Sequence, residues 1–130
     1  MPRRTFLALL LLFCVPLAAM MSGCNQKETA MRDEIIAYEK SIRGHSGQVD
    51  VTHLVEKYIK IGDSMETAKE ILLKNGFSVM EAKHHRRYRI QAGYKIRGDL
   101  FYREDIAIFL GRSPESKIVD FVLAKVNYQP

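Results

Sequence analysis

The chain has 130 residues, of which 47% are apolar, with 20 Lys and Arg against 15 Asp and Glu and a formal charge of +5. That length is normal for one domain with a modest core, and one domain is expected. The basic excess is mild.

The chain opens on a short cationic start, Pro2-Arg3-Arg4, and passes at once into an apolar run over residues 5–20. This is the order of a signal peptide. A spanning helix needs roughly 20 apolar residues; this run is shorter, contains Pro16 and ends among small residues, so cleavage is expected rather than a permanent anchor. Met21-Ser22-Gly23-Cys24, placed where the apolar run stops, resembles the lipobox of bacterial lipoproteins, with Met where Leu is usual.

The resemblance implies a diacylglycerol on the Cys24 thiol, a cut just before that residue and, in many species, a further acyl chain on the new amine. Each buried CH₂ adds about 0.8 kcal/mol, so two or three chains hold a domain on a bilayer without spanning it. The alternative is ordinary secretion with Cys24 an incidental thiol. Asn25, rather than Asp, after the cysteine points to the outer membrane facing the periplasm rather than to the inner membrane. Cys14 leaves with the signal and Cys24 is capped, so neither a disulfide nor a thiolate zinc site is expected. Losing Arg3 and Arg4 leaves 18 basic residues against 15 acidic. In that compartment the excess would meet acidic proteins or lipid headgroups, not nucleic acid. The expected organisation is a signal peptide over 1–23, an acylated tether over 24–29 and a single domain over 30–130.

In the domain, Met31, Ile35, Tyr38 and Ile42, with Ile36 beside them, fall at helical spacing and predict a helix over 28–43 that ends at Gly44. A loop follows over 44–48. Asp50 or Thr52 can cap a second short helix carrying Val51, Leu54, Val55 and Tyr58, and Ile59-Lys60-Ile61 reads as extended. The next element is the best specified. Ser64 alone, or Asp63 with Glu66, supplies the cap; Met65, Ala68, Ile71 and Leu72 form the stripe; Lys74 sits late, and Asn75-Gly76 stops the helix with Phe77 folding back.

The pattern Ile-x-Ile-Gly-x-Ser-x-x-x-Ala-x-x-Ile-Leu over residues 59–72 resembles the signature of the SmpA/OmlA group of small lipoproteins, which includes the E subunit of the barrel-assembly machine and shares the β-lactamase-inhibitor-like fold. The resemblance implies two helices packed on a three-stranded antiparallel sheet, and a role in outer-membrane protein assembly. Two features depart from that group: Leu73-Lys74-Asn75-Gly76-Phe77 stands where Leu-Gly-x-Pro is usual, and the chain has no Trp.

From residue 87 the period changes to two. Tyr88, Ile90, Ala92, Tyr94 and Ile96 share one face of a strand over 87–97, opposite Arg87, Arg89, Gln91, Lys95 and Arg97. A turn over 97–100 leads to a strand over 101–110, and a second turn over 111–116 to a strand over 117–128, which is apolar on both faces at Phe121-Val122-Leu123-Ala124 and reads as the central or best-covered strand. The expected fold is α+β, two N-terminal helices packed on a three-stranded antiparallel β-meander (ααβββ).

No nucleophile-and-base spacing, glycine-rich phosphate loop or ligand cluster is present, so a non-enzymatic protein with no cofactor, no metal and no small-molecule substrate is expected. His45 and His53 read as surface residues, and the adjacent His84 and His85 would point to opposite faces of a strand. The remaining candidate is a cationic strand face of Lys83, Arg87, Arg89, Lys95 and Arg97 that receives a partner's carboxylates or anionic headgroups; a plain solvated face is the alternative. The expected function is a membrane-anchored scaffold or assembly accessory that binds an envelope protein. An inhibitor or immunity lipoprotein that blocks a toxin or hydrolase, and recognition of lipid or cell wall, are the alternatives.

Overall fold

In a computed structural model the chain is described over residues 28–42, 47–82 and 87–129. Cys24, the signal segment, most of the tether, His45 and the stretch Lys83, His84, His85 and Arg86 lie outside the described residues.

Helix α1 (Ala30–Ser41) is followed by strand β1 (Gln48–Asp50), one turn of helix α2 (Thr52–Val55), helix α3 (Met65–Lys74) and strands β2 (Ser78–Glu81), β3 (Ile90–Gly98), β4 (Arg103–Leu110) and β5 (Val122–Gln129). The five strands form one antiparallel sheet in the order β1-β5-β4-β3-β2.

This overturns the expected ααβββ arrangement. The sheet has five strands rather than three, because two short edge strands extend the β3-β4-β5 hairpins on either side. β1 occupies part of the stretch read as a loop, and its residues are exposed, half-buried and exposed in turn. β2 has a single half-buried residue, Val79. Neither carries a period-two apolar signal, and each exists only through pairing with a strand distant in sequence or across a hairpin. The second helix shrinks to Thr52–Val55, and residues 59–61 form no strand. The central strand is β4, not β5; both faces of β5 are apolar near its start because Phe121 and Leu123 serve the opposite face from Val122 and Ala124, which are buried.

Helix α3 forms for local reasons. Ser64 Oγ accepts the Thr67 N–H at 3.1 Å, closing an orphan amide of the first turn, while Asp63 instead accepts the Lys60 N–H at 2.9 Å. At the other end Gly76 takes φ +81°, and the Gly76 and Phe77 amides bond Leu73 O and Leu72 O at 3.0 and 3.1 Å, which caps the last carbonyls.

One core lies between the helices and one face of the sheet. Met31 and Ile35 of α1, Met65, Ala68 and Leu72 of α3, and Ile90, Ala92, Ile106, Ile108, Leu110, Ala124 and Val126 of the strands are all buried there. Arg32 and Asn75 dock α1 on the end of α3: the Arg32 N–H donates to Asn75 Oδ1 at 3.1 Å, and the Arg32 guanidinium lies 5.0 Å from the Tyr94 ring centre.

Candidate interaction surface

Among the described residues, nothing packs on the other face of the sheet. The register sets out three rows across it: Lys95, Asp105 and Asn127; Gly93, Ala107 and Lys125; Gln91, Phe109 and Leu123. Asp105 is held from two sides, by Arg103 Nε at 2.9 Å and by Asn127 Nδ2 at 3.0 Å. A shallow depression of about 530 Å³ runs over these rows.

Three aromatic rings gather at the end of this face where β4 finishes. Tyr88 lies 4.9 Å from Phe109, tilted by 44°, and stacks on Phe121 at 5.7 Å and 10°. Each ring has a cation over it: Arg87 over Tyr88 at 5.5 Å, Arg112 over Phe121 at 5.7 Å and Lys125 over Phe109 at 5.6 Å. Contacts of that kind contribute about 0.5–1 kcal/mol at exposed sites, enough to hold the heads over the rings. Beside them Met80, Ala82, Arg87, Tyr88, Gln91 and Phe109 line a cleft of about 370 Å³. The chemistry available is an apolar floor with guanidinium and ammonium groups at its rim, which suits a partner presenting carboxylates around an apolar anchor.

The basic residues read from the sequence do not form one face. Lys83 lies outside the described residues. Arg87 joins the aromatic group, whereas Arg89 turns to the helix side, where Glu81 receives both Arg89 Nη2 at 3.8 Å and Lys69 Nζ at 3.3 Å. Lys95, roughly 20 Å along the strand from Arg89 at about 3.3 Å per residue, lays its ammonium against Gly98. A β-bulge between Lys95 and Arg97 shifts the register, so that Arg97 stands opposite Glu104 on the helix side, Nε to Oε2 4.0 Å. One extra residue reverses the alternation, and the sequence carries no mark of it. The aromatic group was not legible: the period-two pattern sets Tyr88 in the strand on the face of Ile90, whereas Tyr88 precedes β3 and packs on Phe109 of the opposite face, and the union with Phe121 depends on the register.

The helix side buries polar groups too. Glu39 is 4% exposed and Glu104 1%, and the Tyr128 hydroxyl donates to Glu39 Oε1 at 3.4 Å. Burial, then the charges of Glu39 and Glu104, push the Tyr128 phenol up to about 12. Nearby, Lys57 and Tyr58 donate to Glu34 and hold its carboxyl below the usual range. His53 meets Tyr38 edge to face at 5.3 Å. Among the described residues, no group of three or more His, Cys, Asp or Glu side chains is placed to hold a metal ion, and no helix is long and apolar enough to cross a membrane.

No protein-family model, curated protein or solved structure matches the chain.

Proposed function

We propose that the protein is an envelope lipoprotein, held to the membrane by acyl chains on Cys24, whose domain binds a protein partner with an acidic surface on the uncovered face of its sheet and so acts as a scaffold or assembly accessory. The observation that supports this most is the group of Tyr88, Phe109 and Phe121 under Arg87, Lys125 and Arg112. The core does not need it, since the helices close the other face. Aromatic residues and Arg are the side chains that most often anchor protein–protein contacts. Barrel assembly in particular gains nothing from the fold: the SmpA/OmlA resemblance rests on residues 59–72, and the three-stranded sheet that it implies is not the sheet present.

Photo-cross-linking in intact cells tests the reading. A cross-linker at Phe109 or Leu123 should give one discrete protein adduct, and the same group at Lys57, on the helix side, none. Equal labelling from both sides, or no adduct from the sheet face, would reject it. The identity of the adduct separates an assembly machine from a single toxin or hydrolase.

A further inference from the structure

The hairpin between β3 and β4 ends in two large apolar side chains that touch almost nothing: Leu100 is 94% exposed and Phe101 83%. The turn that carries them is firmly built. Asp99 Oδ1 accepts the N–H groups of Phe101 and Tyr102, each at 2.8 Å, and the Asp99 N–H donates to Tyr102 O at 2.9 Å. An aspartate in this role fixes a tight turn, so Leu100 and Phe101 are held outward rather than left to collapse on the sheet. Holding them there costs free energy in water, and folding receives nothing for it.

The charged heads around the tip are arranged by depth. Arg97 and Arg103 have side chains 57% and 61% exposed, whereas their partners Glu104 and Asp105 are 2% and 18% exposed. The Asp99 carboxylate is taken up by the turn's own amides, and Lys95 bends its ammonium along Gly98 toward the turn. Asp99 is itself exposed, so the charged groups that reach solvent around the two apolar side chains are the three cations Lys95, Arg97 and Arg103 against this one acid.

We propose that Leu100 and Phe101 form a lipid-inserting spike, entering the interfacial layer of a bilayer while Lys95, Arg97 and Arg103 meet anionic headgroups. A bilayer takes a convex apolar point without needing a complementary pocket, and basic residues with long stems are suited to the headgroup layer. The inference rests on the proposed lipid anchor for its supply of membrane, because a tethered domain meets the surface at high effective concentration and two side chains then suffice. Its chemistry is independent of that anchor.

The chain contains no tryptophan, so Phe101→Trp in the full chain places the only one at the tip. The variant, purified from membranes and checked by circular dichroism, is mixed with vesicles of phosphatidylcholine, with or without phosphatidylglycerol and with brominated acyl chains as quencher, and the same samples are floated on a density gradient. The expected result is a blue-shifted emission that bromolipid quenches, stronger with phosphatidylglycerol and weakened by salt, and an inserted fraction reduced about tenfold by adding Leu100→Ser. Protein that floats with an emission still that of water would reject the spike while leaving the anchor standing, and would assign the tip to a protein pocket. Protein that neither floats nor shifts would reject both. A shift equal in the two lipid mixtures would reject the role given to the three cations.

Discussion

The phenol of Tyr128, at the far end of the last strand, donates to Oε1 of Glu39, which stands on the buried stripe of α1 four residues beyond Ile35. This one contact joins the C-terminal strand to the N-terminal helix, and burial raises the Tyr128 pKa to about 12 from an ordinary 10.0. A group whose folded-state pKa is raised stabilises the fold below its unfolded pKa and loses that contribution as pH rises through the folded value. Stability is therefore expected to be insensitive to Tyr128 at neutral pH and to fall between pH 10 and 12, by about 1–2 kcal/mol after allowance for partial exposure. Urea titrations at pH 8, 10 and 11.5 check this: Tyr128→Phe should flatten the alkaline limb, and an unchanged limb would show that another group causes it.

Glu39 Oε2 is buried and has no hydrogen-bond partner among the described residues, while the charge of Glu104 acts on the same phenol. Replacing one of two neighbouring buried acids by its amide removes charge without emptying space. Glu39→Gln is expected to raise stability at neutral pH by about 0.5–1 kcal/mol, and Glu39→Ala to lower it by about 1–2 kcal/mol through lost packing. Thermal melts of the two variants decide the point, since a purely structural need for the carboxylate would make both destabilising.

The two faces of β4 should answer differently to truncation. Ile106 is fully buried, and Ile106→Ala should cost about 2–5 kcal/mol. Phe109 is half-buried on the uncovered face, and Phe109→Ala should cost roughly 1 kcal/mol, for lost ring contacts, yet abolish the cross-link expected from Leu123. If Phe109→Ala lost as much stability as Ile106→Ala along with the cross-link, the ring would belong to the fold rather than to a partner.

Ser64→Ala should destabilise by about 1 kcal/mol, since its Oγ alone caps α3 by accepting an amide, and a urea titration against Ser64→Thr, which keeps the hydroxyl, isolates the cap. That helix was legible in the sequence because everything specifying it is local: the cap, the stripe of Met65, Ala68 and Leu72, and Gly76 at positive φ. Glu39 was legible in principle. It continues the four-residue spacing of Met31 and Ile35, all three buried, yet a charge on that stripe reads as exposed by habit. The edge strands were not legible, because Gln48 finds its partner at Asn127 and β2 has no buried residue to mark it. The basic face failed for a third reason: the bulge after Lys95 sends Arg97 to the helix side, and a single inserted residue in a pleat leaves no compositional trace. Leu100 falls in the turn expected over 97–100, but Phe101 falls at the expected start of a strand that in fact begins at Arg103, and only the exposure of the two gives them meaning.

The anchor can be tested by the kind of bond that holds each chain. A diacylglycerol on the Cys24 thiol carries two ester-linked chains, and any third chain is an amide on the new amine. Intact-mass measurement of the native product should return residues 24–130 plus one diacylglyceryl group, with or without a third acyl chain on the amine, and no thiol free to react with maleimide. Mild alkaline hydrolysis then removes the esters and leaves at most the amide chain. One chain gives a partition constant of only about 10⁴ M⁻¹, so the protein should move from the sedimenting membranes into the wash, while Cys24→Ser should show no added acyl mass at any stage. Retention after hydrolysis would mean that something other than ester-linked lipid holds the domain, and a reactive thiol on the native product would remove the lipoprotein reading altogether.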